Sequence, residues 1–165
     1  MNNLNNVCGI YNPINKAKTS KEKIYFKSLI EKKFCMLCDY YEFITEWEYE
    51  PIEIEYFSIL DNQTHNYIPD FYVNIEINNF SQKYIIEIKP EDKLYEPKYT
   101  NKKNTIKSLR AFNEDLREYI VNNIKFSAAI DYCKQHDMKF KIITDTFLTK
   151  MNIRDNMNNY LIFEN

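Results

Sequence analysis

Residues 67–90 read YIPDFYVNIEINNFSQKYIIEIKP, and this stretch decides the fold of the chain. Two segments within it, 68–77 and 83–89, are rich in Ile, Val, Tyr and Phe, as buried or half-buried strands are. The polar residues between them are typical of a turn, which we expect to centre near Asn79 and Phe80. The stretch therefore predicts a β-hairpin.

The predicted hairpin brings charged side chains together at one end of a sheet. In an antiparallel register, Asp70 lies opposite the end of the second strand, which carries Glu87 and Lys89. Because side chains alternate between faces along a strand, Glu87 and Lys89 share a face with Ile85. A solvated surface pair is the alternative, but Pro69 before Asp70 and the apolar flanks of both strands favour a site.

Two buried carboxylates side by side are unfavourable unless a cation neutralises them or one of them takes up a proton. A hard divalent cation satisfies this requirement with oxygen ligands alone. Magnesium is typically held by one or two carboxylates together with waters and phosphate oxygens, which leaves room for a scissile phosphate. The hairpin thus predicts a Mg²⁺ site at Asp70 and Glu87.

The composition bounds the class of protein. A chain of 165 residues fits one domain, and 44% hydrophobic with 16% aromatic residues excludes a disordered protein. Gly9 is the only glycine, which excludes glycine-rich phosphate loops and dinucleotide fingerprints. The net charge of −2 argues against nucleic-acid binding through bulk charge and leaves only a local basic face. Without a long apolar run or a signal-like N-terminus, we expect a soluble intracellular protein without membrane association.

The four cysteines need an interpretation. Cys35 and Cys38 have the spacing of half a zinc site, but Cys8 and Cys133 do not form a second such pair. Both inner cysteines also fall within a predicted helix. We therefore expect free, buried cysteines that act as small apolar residues.

The N-terminal third predicts an arm and a helix. Residues 1–18 lack periodicity, so we expect a mobile arm. Thr19 and Glu22 have the capping-box form, and apolar residues then recur at helical spacing. Glu31 lies near the edge of this apolar stripe, as either a solvent-facing residue or a third carboxylate leaning toward the hairpin. The stripe comprises Phe26, Leu29, Ile30, Phe34, Leu37 and Tyr41.

Two further segments flank the hairpin. Residues 44–59 alternate apolar and acidic residues, which predicts a strand with one solvent-exposed face. Residues 60–65 predict a turn. His65 is either an ordinary turn histidine or a phosphate contact. The charged segment 91–104 is either a solvated loop or, through Lys93 and its other lysines, a segment that follows a phosphate backbone.

The C-terminal third predicts a helix over residues 105–135, in one or two pieces. Lys125 on this helix is either a snorkelling surface lysine or a phosphate contact. A buried strand over 138–144 and a short helix over 146–151 follow, and then a tail, residues 152–165.

The order helix, three strands, helix, strand, helix predicts one α/β domain over residues 19–151, with a mixed sheet whose front strands are antiparallel and which helices flank. This order, with Glu31 on a helix, Pro69-Asp70 on a strand and Glu87-x-Lys89 on the next, resembles the PD-(D/E)xK nuclease superfamily.

A narrower resemblance, over about residues 20–148, is to the head-completion nucleases of large contractile-tailed phages. It is carried by the runs His65-x-Tyr67-x-Pro69-Asp70-Phe71, Ile86-Glu87-Ile88-Lys89-Pro90 and Lys125 followed by Ala128-Ala129.

The resemblance implies a restriction-endonuclease-like core and metal-dependent hydrolysis of DNA phosphodiester bonds. Asp70 and Glu87 would hold Mg²⁺, for which Mn²⁺ would substitute, and Glu31 would complete the metal environment or hold a second ion. Lys89 would position or deprotonate the attacking water. The candidate phosphate contacts, which rest on their positions along the chain, are Lys125, His65 and Lys93. The implied partners are DNA and phage portal, neck or head proteins, and the implied location is the virion or the host cytoplasm. The implied step is processing of packaged DNA before head–tail joining.

Two other functions remain compatible with the same residues. One is a non-catalytic head-completion or DNA-end-binding protein that keeps the nuclease fold as a scaffold. The other is a TnsA-like transposon-end nuclease, which would cut only with a transposase partner.

Overall fold

A computed structural model describes residues 7–99 and 105–150. Two short strands precede the first helix, five strands follow it, and a long helix, one strand and a short helix complete this part of the chain. Their bounds are β1 Gly9–Tyr11, β2 Ile24–Phe26, α1 Leu29–Tyr40, β3 Ile44–Tyr49, β4 Ile54–Ser58, β5 Gln63–Tyr67, β6 Phe71–Ile77, β7 Phe80–Lys89, α2 Ile106–Gln135, β8 Lys139–Thr144 and α3 Asp145–Lys150. A single 3-10 turn, Glu91–Leu94, follows β7.

The central sheet has the strand order β3-β6-β7-β8. Its first three strands are antiparallel, whereas β7 and β8 run parallel. A parallel neighbour requires a long crossover, and the 30-residue helix α2 provides it. The predicted α/β class, with a mixed sheet that is antiparallel at the front, is confirmed.

The predicted hairpin is formed by β6 and β7, in which Phe71 pairs with Ile86 and Ile77 pairs with Phe80. The connection is the two-residue turn Asn78-Asn79, one position before the predicted centre. Both asparagines have positive φ, 50° and 67°, as a type I′ hairpin turn requires. Asn is among the few residues that adopt this left-handed conformation readily, so the turn sets the register.

The main core lies between α1 and one face of the central sheet. Phe34, Trp47, Phe71 and Ile86 are almost wholly buried there, and the rings of Phe34 and Phe71 meet edge to face at 4.7 Å. Alternation along β7 turns Glu87 away from this core. On α2, Ala129 belongs to a second apolar cluster.

The N-terminal segment differs from the expected arm. Its strand β1 pairs with β2, and Tyr11 is buried in the main core. Residues 24–26 therefore form a strand, and the first helix begins at Leu29 rather than after Thr19. The helix starts there because Ser28 caps it, its Oγ accepting the N–H of Glu31 at 3.2 Å.

The segment 44–59 also differs from the prediction, because it forms two strands that belong to different sheets. Glu50 has a φ of 47° and Pro51 follows it, which ends β3. Beyond this break, β4 pairs with β5 in a separate two-stranded sheet, so His65 lies in a strand rather than in a turn.

The remaining predictions mostly hold. The second helix is a single piece, the last strand and the short helix are confirmed, and all four cysteines are free, with Cys8 alone among them exposed. Residues 1–6, the lysines at 102 and 103 and the tail 152–165 lie outside the described residues. None of the described helices combines the length and apolar character needed to cross a bilayer.

Candidate active site

The hairpin places Asp70 beside the C-terminal end of β7. Its Oδ2 accepts the N–H of Ile88 at 2.7 Å, and its carbonyl accepts the N–H of Glu50 at 2.8 Å. Since Glu87 and Lys89 flank Ile88, the aspartate meets the end of the strand that carries them. The fold therefore brings Asp70 beside the end of β7 that carries Glu87 and Lys89, as the sequence predicted.

Asp70 is a half-buried carboxyl group with few hydrogen-bond donors. Desolvation by the surrounding protein, and next the nearby Glu87, raise its pKa to about 8, and Glu31 adds to this effect. The N–H of Ile88 and the ammonium of Lys89 oppose the shift. Asp70 thus lies beside a second acid in surroundings that disfavour its own ionisation.

Glu87 has a partner for each oxygen. Its Oε2 accepts the hydroxyl of Tyr67 at 2.5 Å, and its Oε1 lies 3.0 Å from the Nζ of Lys89. Burial, followed by the charge of Glu87, raises the pKa of Tyr67 above its ordinary value, so the phenol remains a donor. Glu87 is only 5% exposed, and these two contacts fix its orientation.

The second helix brings Lys125 to the same place. Its Nζ lies 5.7 Å from the ring centroids of both Tyr56 and Tyr67. Burial, and then the positive charge of Lys89, lower the pKa of Lys125, whereas Glu87 acts in the opposite direction. The lysine is thus a half-buried cation beside the Glu87–Lys89 pair.

Glu31 is buried, which matches the inward-leaning alternative. Its carboxylate accepts the N–H of Lys27 at 2.9 Å, the hydroxyl of Ser28 at 2.9 Å and the hydroxyl of Tyr49 at 2.8 Å. Both oxygens are therefore occupied by the protein. Glu31 acts on Asp70 through its charge, which raises the pKa of that carboxyl.

Within residues 7–99 and 105–150, no group of three or more His, Cys, Asp or Glu side chains is arranged to hold a metal ion. Asp70 and Glu87 supply two carboxylates, close enough for Glu87 to raise the pKa of Asp70. A divalent cation would offset both the desolvation and the charge of Glu87 that raise this pKa. A pair of carboxylates completed by waters is a donor set that suits Mg²⁺.

The other two predicted phosphate contacts are engaged by acids. His65 stacks on Tyr56, with ring centroids 5.6 Å apart, and its Nε2 lies 2.8 Å from Asp61. The Nζ of Lys93 donates to Asp115 and Glu118 on α2, and these bonds raise its pKa. Among the three predicted contacts, the structure brings Lys125 closest to the carboxylate pair.

Sequence reasoning missed the two tyrosines that donate to the acids, Tyr49 and Tyr67. Tyr67 stands three residues before Asp70, within the run that carried the resemblance. The spacing alone does not indicate a bond to Glu87, because that contact depends on how β5 lies against the end of β7.

The fold and the site together define a nuclease of the PD-(D/E)xK type. A family model described as "TnsA-like endonuclease N terminal" matches residues 42–145, and the chain belongs to this family of nuclease-type enzymes. The match includes Asp70, Glu87, Lys89 and Lys125, whereas Glu31 precedes it.

The chain is also similar to a protein named "Head completion nuclease" from Enterobacteria phage T4. The two are 27% identical over 141 residues, which cover 86% of this chain and 91% of that protein. No solved structure matches the chain significantly.

Proposed function

We propose that this protein is a metal-dependent DNA endonuclease that acts at phage head completion, on packaged DNA before head–tail joining, in the virion or the host cytoplasm. The observation that carries the proposal is the pair formed by half-buried Asp70 and buried Glu87 beside Lys89, in a chain of a nuclease family. The name of the phage T4 relative, and the 91% of its length that is covered, support the head-completion role.

In the proposed mechanism, Asp70 and Glu87 would hold Mg²⁺ or, in its place, Mn²⁺. Such a metal would supply charge neutralisation for the phosphate and a more acidic water. Lys89, held by Glu87 at 3.0 Å, orients the attacking water and offsets charge on the pentacovalent phosphate. Tyr67 keeps the Glu87 carboxylate in place, and Glu31 adds negative charge that favours retention of a cation.

A transposon-end nuclease is the second candidate, because the family model is named for TnsA-like endonucleases. Such a protein would cut only when a transposase partner is present. A purely structural DNA-end-binding protein would bind without cutting. These functions differ in what the isolated chain does to DNA.

A plasmid-nicking assay separates them. The isolated chain should nick supercoiled plasmid with Mg²⁺ or Mn²⁺, and EDTA should stop the reaction. Asp70→Asn should abolish nicking, whereas Asp131→Asn, an exposed acid on α2 paired with Lys134, should not change it. Absence of nicking with either metal would overturn the proposal, and nicking that survives Asp70→Asn would overturn the assignment of the site.

A further inference from the structure

A cleft of about 430 Å³ lies beside the carboxylate pair, between the end of β7 and the middle of α2. The proposed mechanism uses only Lys89 from its walls. Its polar lining consists of Lys89, Glu114, Arg117, Glu118, Asn122 and Lys125.

Asn122 is the unusual member of this lining. It is 6% exposed, and its Nδ2 is buried without a hydrogen-bond partner. A buried amide donor without an acceptor costs about 1–3 kcal/mol. The adjacent Asn123 differs, since it is exposed and its amide donates to the carbonyl of Tyr119 at 2.9 Å. Asn122 therefore lines the cleft, and its enclosed Nδ2 has no acceptor among the described residues.

The charges around that donor favour an anion. Three cations line the cleft against two acids. Lys89 is paired with Glu87 at 3.0 Å, and Glu118 accepts a hydrogen bond from Lys93 at 2.9 Å, which leaves Arg117 and Lys125 against Glu114. Lys125 is held over the rings of Tyr56 and Tyr67, which keeps it near the carboxylate pair. Amide and cationic donors around a concave surface suit an anion rich in acceptor oxygens, as a phosphate is.

We propose that this cleft binds a phosphodiester group of the nucleic-acid backbone next to the scissile one, with Asn122 as the neutral donor and Arg117 and Lys125 as cations. The inference rests on the proposed function. It also assigns a path to the bound DNA strand, which would leave the carboxylate pair along α2. Asn122 is a binding residue in this assignment and takes no part in bond cleavage.

The first test compares Asn122→Asp with Asn123→Asp, which add the same charge one residue apart. Binding of a short labelled DNA duplex to the full chain is measured by fluorescence anisotropy in EDTA, at several salt concentrations. Asn122→Asp should weaken binding about ten-fold and reduce the salt slope by about one, the effect expected when one phosphate contact is lost. Asn123→Asp should change the affinity by less than about two-fold, as an exposed charge screened by salt does.

A second pair of variants lies at exposed positions. This pair tests the cleft even if Asn122→Asp does not fold. Arg117→Gln should weaken binding about five-fold. Arg110→Gln, at an exposed arginine two helical turns away, should have a smaller effect. Thermal unfolding of each variant reports whether it folds.

The outcomes are distinguishable. If the two variants of each pair bind DNA equally well while the parent chain binds and nicks it, the assignment of the cleft is wrong and the proposed function is unaffected. A parent chain that neither binds nor nicks would overturn both. Inorganic phosphate that stabilises the parent but not Asn122→Asp, together with unchanged DNA affinity of that variant, would assign the cleft to free phosphate instead.

Discussion

Asp39 is a buried aspartate and Asp70 a half-buried one, and they differ in the groups that the fold places beside them. The Oδ2 of Asp39, at the end of α1, accepts the hydroxyl of Tyr11 at 2.5 Å and the N–H of Ile14 at 2.7 Å. Nearby, the ammonium of Lys18 donates to three carbonyl oxygens, those of Cys38, Asp39 and Tyr41. Asp70 has one backbone donor and two acidic neighbours.

The two aspartates illustrate two roles of an acidic side chain that the fold shields from solvent. Asp39 bonds to a segment distant in sequence and so attaches β1 and its connection to the first helix. The charge of Asp70 is opposed by its surroundings, and a bound cation would remove that opposition. The Oδ1 of Asp39 is itself buried without a hydrogen-bond partner, so neither burial nor a missing donor marks a site; the proximity of a second acid distinguishes Asp70.

The largest expected effect is on catalysis. Asp70→Asn should lower the nicking rate at least ~100-fold, the scale on which removing one electrostatic group of an active site acts. It should not lower the free energy of unfolding, because the substitution removes an unfavourable charge. Denaturant unfolding and nicking rates, measured on one preparation, test the predicted loss of activity and the predicted retention of stability. A variant that is inactive because it is unfolded would contradict the proposed difference between Asp70 and Asp39.

The same substitution at the other aspartate should have the opposite profile. Asp39→Asn should reduce the free energy of unfolding by about 2 kcal/mol, since hydrogen bonds to a charged group are weakened. The nicking rate per folded molecule should stay within about two-fold, because Asp39 contacts no residue of the site. Urea unfolding measures the effect, with Asp131→Asn as the matched exposed control. Equal stabilities of the two variants would refute the role of Asp39 in attaching β1 to the first helix.

The pH dependence of stability should identify Asp70 in the metal-free protein. Its pKa is about 8 in the folded chain, above the ordinary 3.8, so the folded state binds the proton more tightly. This contribution is present below pH ~4 and is lost as pH rises toward 8, by at most about 1.4 kcal/mol per pH unit. Thermal unfolding in EDTA should show the loss, and Asp70→Asn should flatten it; a slope shared by parent and variant would assign the effect to other groups.

Mg²⁺ should act in the complementary direction. Because the cation binds ionised carboxylates, it should raise the Tm more at pH 8 than at pH 5. Asp70→Asn should remove most of this difference. The same thermal scans with Mg²⁺ in place of EDTA measure it, and a pH-independent shift would count against binding at this pair.

The smallest effect concerns the tyrosine that holds Glu87. Tyr67→Phe leaves Oε2 of Glu87 without its donor and should cost about 1 kcal/mol of stability, together with a reduced kcat. Tyr56→Phe is the matched control, because its ring lies at the same 5.7 Å from the Nζ of Lys125. Urea unfolding and nicking rates of the two variants measure the difference, and indistinguishable values would show that the hydroxyl of Tyr67 does not position Glu87.

The hairpin was predictable because its determinants are local. Alternating apolar residues and an Asn-Asn turn set both the strands and their register, so the meeting of Asp70 with Glu87 and Lys89 followed from sequence. The parallel strand was expected for a similar reason, since a helix of 30 residues allows a crossover.

Elements that depend on remote pairing were missed. Strand β1 has three residues, and its partner β2 was assigned to the helix because Phe26 continues the helical spacing. Ser28 and Glu31 form a second capping signal downstream of Thr19, and tertiary packing decides between the two. The break at Glu50 and Pro51 separates β3 from β4, which alternation alone cannot indicate.

The meeting of Asp70 with Glu87 and Lys89 was predicted from the sequence, whereas the tyrosine that donates to Glu87 was not. Tyr67 and Asn122 come near this candidate site only through the packing of β5 and α2 at the end of β7. Their residue types are common in strands and on helix surfaces, so no local pattern singles them out.

Strand β7 pairs with β6 along Phe80–Ile86 and with β8 along Tyr84–Lys89, so residues 84–86 have a neighbour on each side. The amide protons of these three residues should be among the last of the sheet to exchange with deuterium. Glu87 and Lys89 follow them directly and pair with Ile142 and Thr144 of β8. Their relative positions should therefore be lost when β7 and β8 separate, and hydrogen exchange at these two positions would report that opening.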